Sequence, residues 1–570
     1  MGRYKQAGRP LKITTPLETD ALLLVGFQAK ESISQLFQFQ AEMLAEAPAA
    51  IRFEQILGNT VTVELALPGE QPRYFDGLVK SFTQGARDQK FTEFRAEIVP
   101  KVWLLSKVVR SRIFQHMTVP EILEQILRPY AISLQLSANY YQRDYCVQYR
   151  ESDLDFVTRL MEEEGIYYYF QHSHGKHEMV LSDNAKQHPD IPGNTTIKFE
   201  DLSGGGRDES RVISWQKTQE LRSGAYALWD HCFELPGKHL EASEKTVDQV
   251  QVGDVKHRLK VGGNDELEIY DFPGGYAQRF DGVDRSGSPI PSSLQGIFED
   301  KDRVARIRME EEDAGAIEIR GAGTVPRFCS GYQFKLDRHF DANGAYLLKT
   351  LEHTAKVTGY RSGEDENFQY GNSFSCMPAG LPYRPARIVE KPSISGIQTA
   401  TVVGTPGSEI FCDKYGRVKV QFHWDREGKL NGDSSCWLRV AQVWAGSGWG
   451  AFFWPRVGHE VVVAFEEGDP DQPIIVGSVY NAKNMPPFLL PLRKKMAGIK
   501  SATVHGAAGQ NFNALVFVDE DDHEHLAIYS ERHMTINTEY DTQWHCGRHK
   551  SENVPSAHLH TVGRVPNGDS

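Results

Sequence analysis

Four acidic side chains fall within six consecutive positions: Glu466, Glu467, Asp469 and Asp471. Two carboxyl groups can act as acid and base in glycoside hydrolysis, so Glu466 and Asp469 are a candidate pair for a cell-wall hydrolase. The flanking segments 460–465 (EVVVAF) and 473–480 (PIIVGSVY) have the composition of buried strands, and Gly468 is a typical turn residue. We therefore expect these carboxylates to form the polar turn of a hairpin, with hydrolysis as the alternative.

Three histidine groups, at 172–177, 523–525 and 545–560, suggest metal binding. None has the Cys/His pairing of a structural zinc site or the HExxH pattern of a catalytic helix. His558 and His560 are two positions apart, so in a strand they would share a face, and three chains around one axis would place six imidazoles about a transition metal. Alternatively, both side chains point outward or lie in a frayed end. We assign no metal, no cofactor and no catalytic residue from the sequence.

Two further kinds of site find little support in the sequence. No GxSxG motif marks a serine nucleophile, and the glycine-rich segment 446–450 lacks a following helix that would bind phosphate. Tryptophans and basic residues are interleaved between 417 and 454, as in OB folds that bind single-stranded nucleic acid or sugars, but Trp and Phe at alternating positions are more often part of a core. The formal net charge of −13 argues against a polyanionic partner, so we expect no nucleic-acid binding.

The composition indicates a soluble protein of several domains. The 570 residues predict about three to five domains, and no apolar run reaches the roughly 20 residues that a membrane span requires. The N-terminus lacks the apolar segment of a secretory signal, so we expect the chain to fold in the cytoplasm. Its seven cysteines are scattered and form no CxxC pair, which predicts buried thiols in a reducing compartment.

Two helices and otherwise mainly β-structure are expected before residue 380. Thr118 and Glu121 form a capping box at the start of the first helix, and Pro129 ends it. The second helix begins after Ser152 and ends at Gly165. The last turn of this helix contains the sequence EEE at 162–164, which we interpret as a solvated helix end.

A domain boundary is predicted near residue 380, where four prolines fall within 15 residues, from 378 to 392. About five strands follow in roughly 85 residues, which suits a closed barrel of the OB type. A second proline-rich segment begins at 484. We therefore predict a first region over 1–380, an OB-fold domain over 381–485, a linker over 486–510 and a strand-rich tail over 511–570.

The tail alternates with a period of two residues: Met534, Ile536, Thr538 and Tyr540 would share one face of a strand. Before it, the segments FNALVFVD and HLAIYSE predict a hairpin around EDDHE. About 60 residues of half-polar strand cannot bury a core alone and leave their edges unpaired. We expect three copies of the chain to complete this segment around a common axis.

Long segments of the chain resemble the VgrG spike proteins of type VI secretion: 148–184, 267–276, 416–429, 434–481 and 509–520. The resemblance implies a mainly β homotrimer with a phage-hub-like region of β-barrels, an OB-fold domain and a triple-stranded β-prism needle. It implies a structural, non-enzymatic spike that helps puncture membranes and deliver effectors. The alternative within this class is the equivalent spike of a phage tail or an extracellular contractile particle.

The resemblance also implies partners and a route. The partners are a hexameric tail-tube protein like Hcp, a PAAR-like tip protein, baseplate components, and effectors or their adaptors. The target membrane is contacted only during injection, after assembly in the cytoplasm and secretion. One departure is that a single TVG, at 561–563, represents the Val-Gly repeats, so the needle is short or continues further. From the spacing after Asn481 we expect no added catalytic domain.

Overall fold

The computed structural model describes residues 4–47, 50–66, 71–200, 210–360, 367–506 and 510–555. The chain forms two compact units, Met1–Asn481 and Ala482–Ser570. Strands dominate the first unit, as the sequence predicts, and they are the regular elements of the described part of the second. Among the described residues, no helix has the length and apolarity needed to cross a bilayer.

The strands before residue 380, in chain order, are β1 Leu11–Thr14, β2 Leu23–Ser32, β3 Gln38–Glu46, β4 Thr60–Leu65, β5 Arg73–Arg87, β6 Phe91–Val99, β7 Val109–Phe114, β8 Ile132–Gln135, β9 Cys146–Ser152, β10 Tyr167–Ser173, β11 Lys176–Ser182, β12 Thr196–Lys198, β13 Val212–Gln219, β14 Ala225–Leu228, β15 Ala242–Lys245, β16 Gln249–Val252, β17 Val255–Arg258, β18 Glu268–Asp271, β19 Ile317–Gly323, β20 Gln333–Asp337, β21 Gly344–Val357 and β22 Phe368–Pro378. The helices are α1 Val119–Leu127, α2 Asp153–Glu164 and α3 Gly296–Ala314.

The later strands are β23 Gln398–Val403, β24 Lys419–Phe422, β25 Trp444–Ala445, β26 Gly450–Ala451, β27 Glu460–Phe465, β28 Pro473–Val479, β29 Met496–Lys500, β30 Ala514–Val518 and β31 His525–Tyr529.

A twelve-stranded sheet organises the region before residue 380, as far as the structure describes it. Its order is β1-β4-β5-β6-β3-β2-β21-β22-β19-β13, and β20 and β12 branch from β21. The antiparallel pair β2–β21 joins two halves that are far apart in sequence. Each half contributes to its own apolar core, one around Phe39 and Phe75 and the other around Phe328 and Phe334. The sheet therefore links two β-rich halves into one body.

Both predicted helices are confirmed. Thr118 caps α1 through the predicted capping box, in which its backbone N–H donates to Glu121 Oε2 at 2.7 Å. Ser152 caps α2, and Gly165 ends it with a left-handed φ of 69°. A Cβ on Gly165 would lie 2.9 Å from a methyl carbon of Ile307, so glycine also permits close packing there.

Helix α3, with 19 residues, is not predicted from the sequence. Its apolar face packs on the small sheet β15-β14-β18 through Ile297 and Val304. Charged residues interrupt the apolar period because Asp300, Arg308 and Asp313 are themselves buried. The first helical residue also follows Gln295, which makes no side-chain cap, so no start signal is visible in the sequence.

The OB-type barrel after residue 397 closes with fewer regular strands than expected. Its sheet has the order β24-β23-β27-β28. The expected fifth strand appears as two isolated bridges: Leu438 pairs with Val418 before β24, and Val440 pairs with Ile475 in β28. These bridges complete the ring around a core that includes Val420, Leu438 and Val461.

The second unit contains one three-stranded sheet in the order β29-β30-β31. The predicted hairpin is confirmed as β30 and β31, whereas β29 lies inside the segment predicted to be a linker. Residues 534–541 form no strand within this one chain and are all exposed, although their period of two predicts one. Most of this unit therefore has no core of its own in the part of the chain that the structure describes.

The seven cysteines are free thiols in the structure. Cys146, Cys232, Cys329 and Cys376 are buried as predicted. The prediction is wrong for Cys412 and Cys546, which are exposed, and Cys436 is only partly buried. Cys412 and Cys546 lie in segments without regular structure, so no packed layer covers them.

The capping box of α1 yields a stability prediction. Thr118→Ala removes the side-chain acceptor for the backbone N–H of Glu121, so we expect a loss of about 1 kcal/mol in the free energy of unfolding. Chemical denaturation measures this loss. Glu124→Ala, at an exposed position of the same helix, is the control and should change stability by less than half as much.

Candidate functional site

The acidic segment at 466–471 forms the turn between β27 and β28, as predicted. Glu466–Gly468 makes one 3-10 turn, and the strands on either side pair antiparallel. The turn is not a free tip, however, because the Asp471 side chain is buried and that of Asp469 nearly so. Both carboxylates face Lys391, which lies in the segment that connects β22 of the large sheet to β23 of the barrel.

Lys391, which is partly exposed, and the two aspartates form a largely buried ionic contact. The Lys391 ammonium lies 2.6 Å from Asp469 Oδ1 and 2.7 Å from Asp471 Oδ2, and the backbone N–H of Val147 in β9 donates to Asp471 Oδ1 at 2.6 Å. Burial raises the pKa of Asp471. Burial alone would lower the pKa of Lys391, but the two carboxylates outweigh it and raise that pKa. The turn therefore docks the barrel onto β9.

The two carboxylates of the proposed glycosidase pair, Glu466 and Asp469, both have partners within the fold. Glu466 forms an ion pair with Arg439, and Asp469 accepts hydrogen bonds from Lys391 and from Gln278 at 3.2 Å. A general acid needs a carboxyl group that can face a substrate. The geometry instead gives both carboxylates cationic or amide partners within the fold.

Residues 383–394, here called the strap, connect β22 to the barrel. At one end the Tyr383 N–H donates to Ala185 O, and at the other the Ile394 N–H donates to Gly468 O, both at 2.8 Å. Between them Arg384 donates to Gly165 O at 3.0 Å and forms an ion pair of 2.7 Å with Glu310 in α3. The proline-rich segment that marks the predicted boundary is thus fixed along its length.

The glutamates that end α2 bind the strap and its surroundings, so their interpretation as a solvated helix end is wrong. Glu162 is 3% exposed, and its Oε2 accepts from the backbone N–H groups of Ile388 and Val389 at 3.1 Å each. Burial raises the pKa of Glu162 to about 7. The helix end is covered because the strap crosses it.

The other two glutamates lie in an arginine cluster. Arg143 pairs with Glu163 at 2.7 Å and also with Glu164, and Arg303 lies 2.6 Å from Glu164 Oε2. Burial alone would raise the pKa of Glu164, but Arg279, Arg303 and Arg143 outweigh it and hold the pKa well below its usual range. These ion pairs offset the unfavourable helix dipole, which disfavours acids at a C-terminus.

A second buried ion pair joins the barrel to the segment between β18 and α3. Arg417, which precedes β24, lies 2.8 Å from Asp281 and 2.6 Å from Asp413. The indole N–H of Trp437 donates to Asp284 O at 2.8 Å. The barrel is therefore held at two places by hydrogen bonds and buried charges, which require defined geometry.

The histidines at 172–177 have structural partners. His177 Nδ1 lies 2.7 Å from Asp76, and its Nε2 accepts from the backbone N–H of Lys101 at 2.9 Å. His172 Nδ1 accepts from the backbone N–H of Asp76 at 3.1 Å. Both ring nitrogens of His177 thus have partners within the fold. Neither is free for proton transfer to a substrate.

The axial metal hypothesis falls outside the described residues, since His558 and His560 lie beyond residue 555. Over the described ranges, no group of three or more histidine, cysteine or acidic side chains is arranged to hold a metal. The assignment of no metal, cofactor or catalytic residue stays a prediction.

Comparisons with known proteins identify the family. A family model described as "Phage tail baseplate hub (GPD)" matches residues 30–359, and one described as "Type VI secretion system/phage-baseplate injector OB domain" matches 411–480. The type VI secretion system spike protein VgrG1c of Pseudomonas aeruginosa is 35% identical over 557 residues, which cover 97% of this chain and 72% of the relative. The chain belongs to the VgrG family of type VI secretion spike proteins. The resemblance noted in the sequence is confirmed.

Other VgrG proteins match over similar lengths. VgrG1a of P. aeruginosa is 35% identical over 95% of this chain and 80% of its own length. An E. coli component of the type VI secretion system, described as structurally similar to T4 bacteriophage tail proteins gp27 and gp5, shares the fold with a TM-score of 0.54 and 20% identity. The matched region covers 82% of this chain and 99% of the E. coli chain. A phage-hub-like region and an OB-fold domain are therefore present here.

The strap residues are what sequence reasoning missed in this VgrG protein. Arg384 and Lys391 resemble ordinary surface cations of a proline-rich segment. One signal was available: three glutamates in the last turn of α2 oppose the helix dipole, which indicates cationic partners elsewhere in the chain. Those partners are distant in sequence, so only the fold identifies Arg143 and Arg303.

The Lys391 contact yields a stability prediction. Lys391→Met keeps most of the apolar stem but leaves Asp469 and Asp471 buried without a cation, so we expect a loss of about 3 kcal/mol in the free energy of unfolding of the first unit. The triple variant K391M/D469N/D471N should recover most of this loss because no buried charge remains. Chemical denaturation measures both, with the exposed Lys90→Met as control. Equal losses in the single and triple variants would contradict the ionic role.

Glu162 yields a pH prediction. Its pKa in the folded chain, about 7, lies above the ordinary value of 4.5, so its contribution to stability is fully present below about pH 4.5 and is lost as the pH rises through 7. Glu162→Gln keeps the acceptor for both strap N–H groups and removes this loss. We expect the variant to gain about 2 kcal/mol relative to the unmodified chain between pH 5 and pH 8, measured by denaturation. A difference that does not change with pH would contradict the prediction.

Proposed function

We propose that this VgrG protein is the trimeric spike that connects a hexameric Hcp-like tube to a PAAR-like tip protein and carries effectors or their adaptors. The single observation that carries the proposal is the fixed junction between the hub-like region and the barrel. A spike driven through an envelope must pass load from its base to its needle, and a flexible linker would bend under that load. The strap and its buried ion pairs leave no flexible linker at this point.

The proposed domain limits are the ones predicted from the sequence. Residues 1–380 are the hub, 381–485 the OB-fold domain, 486–510 the connection and 511–570 the start of a triple-stranded prism needle. The exposed apolar side chains of the second unit support the need for partner chains; they include Leu492, Ile528, Met534, Ile536 and Trp544. In water such a surface is unfavourable, and packing against two further copies would bury it.

Relatives support a role in delivery within type VI secretion. The actin cross-linking toxin VgrG1 of Vibrio cholerae is 33% identical over 90% of this chain, which covers 45% of that toxin. This match to a VgrG protein that is named a toxin supports the proposed role in delivery. We assign it a non-enzymatic role, assembly in the cytoplasm with baseplate components, and later secretion or injection, with membrane contact only during injection.

The trimer is testable on the purified protein. Light scattering at micromolar concentration should give three times the chain mass of 64.3 kDa. A well-folded monomer at that concentration would overturn the proposed spike. Deleting residues 511–570 should weaken the trimer, which dilution in the same experiment measures.

The hydrolase alternative has its own test. We expect the purified trimer to release no soluble fragments from peptidoglycan at neutral pH. Release that persists on repurification and disappears in Glu466→Gln, but not in the neighbouring Glu467→Gln, would establish the alternative.

A further inference from the structure

A short hairpin of the barrel projects an apolar surface in this chain. This finger, residues 443–454, contains β25 and β26, which pair through Trp444 and Ala451. Six large apolar side chains of the finger are exposed: Val443, Trp444, Trp449, Phe452, Phe453 and Trp454. Val443 is 94% exposed and Trp444 64%. Such a cluster on one hairpin marks a contact surface rather than scattered surface residues.

The finger is ordered by its own contacts. The rings of Trp444 and Trp449 meet edge to face with centroids 5.0 Å apart. At the base, Gln442 donates to Phe453 O at 3.0 Å and accepts from the Phe453 N–H at 2.9 Å. The apolar surface is therefore presented in one conformation, which lowers the entropy lost on binding.

The chemistry of the finger restricts its partner. From Val440 to Pro455 the sequence contains no charged residue. A polyanion or a charged peptide would gain no ion pair there, so the partner surface must be apolar. A Cβ on Gly446 would lie 2.3 Å from the Trp449 ring and one on Gly450 would lie 2.4 Å from Trp444 O, so these glycines permit the close packing of the finger itself.

The same barrel has a second surface that fits this description. In β28, residues 476–479 are exposed on both faces of the strand, and Tyr480 follows with 65% exposure. One edge of β28 pairs with β27, but the other is bridged only at Ile475 among the residues that the structure describes. Val476, Val479 and Tyr480 make this open end, here called the β28 end, largely apolar.

We infer that the finger of one copy packs over the β28 end of the next copy, so that each copy donates one finger and receives one. The inference rests on the proposed trimer and specifies how its barrels join. A threefold ring needs two different complementary surfaces on each chain, and the finger and the β28 end are such a pair. Mutual packing covers both apolar surfaces without any added partner.

Cross-linking tests the arrangement in the full chain. In a background with Cys412→Ser and Cys546→Ser, Ser447→Cys marks the finger tip and Ser478→Cys marks the β28 end; all four positions are exposed. We expect the S447C/S478C variant to give covalent trimer on mild oxidation, about ten-fold more than either single variant. Co-expressed single variants should give covalent heterodimer.

Each outcome decides the inference. A non-covalent trimer in which S447C alone cross-links would place the finger tips together on the axis and overturn the arrangement. A trimer without any cross-link, by disulfide or by a short bismaleimide, would also overturn it while leaving the proposed function intact. A monomeric unmodified chain would instead remove the proposed function itself.

A second pair of variants tests the energy of the contact. Trp444→Ser with Trp449→Ser should raise the concentration at which the trimer dissociates by about 100-fold, without loss of thermal stability in the monomer. Phe340→Ser, which removes an exposed aromatic ring in the hub, is the matched control and should leave that concentration unchanged. Binding of the unmodified monomer to phosphatidylcholine vesicles, lost in W444S/W449S while the trimer is unaffected, would assign the finger to membranes and contradict the inference.

Discussion

The arrangement of this spike depends on buried charges at the junction between its hub and its barrel. Removing an ion from water is costly, so each buried charge must meet an opposite one in good geometry. Lys391 meets two aspartates, and Glu164 meets three arginines. Because these partners come from the hub, the strap and the barrel, satisfying the charges fixes all three parts at once.

The paired charges fix the position of the barrel relative to the hub. Paired charges and backbone N–H donors have preferred distances and directions, so together they favour one placement of the barrel on the hub. The strap crosses the ends of two helices and is held by Arg384, Glu162 and Lys391 in turn. Hub and barrel in this chain are therefore joined as one compact unit, as the proposed spike requires.

Exposed apolar surfaces, unlike the paired charges of the junction, are not satisfied within one chain. The barrel exposes the finger and the β28 end, and the second unit exposes most of its apolar side chains. One chain cannot bury them, because its segments there are short and nearly coreless. The polar junction thus fixes the barrel on the hub, while the uncovered apolar surfaces support the proposed assembly with copies of the same chain.

The sequence by itself determined what short-range chemistry controls: the capping box of α1, the glycine stop of α2, the β30–β31 hairpin and the acidic turn at 466–471. It also indicated the family, because long segments are diagnostic. The tertiary structure decided which charges are buried, so the glutamates of α2, the charged helix α3 and the closure of the barrel at Leu438 were missed or misread. Their partners lie from about 20 positions away, as for Arg143 and Glu163, to more than 200, as for Val389 and Glu162, and no local pattern records them.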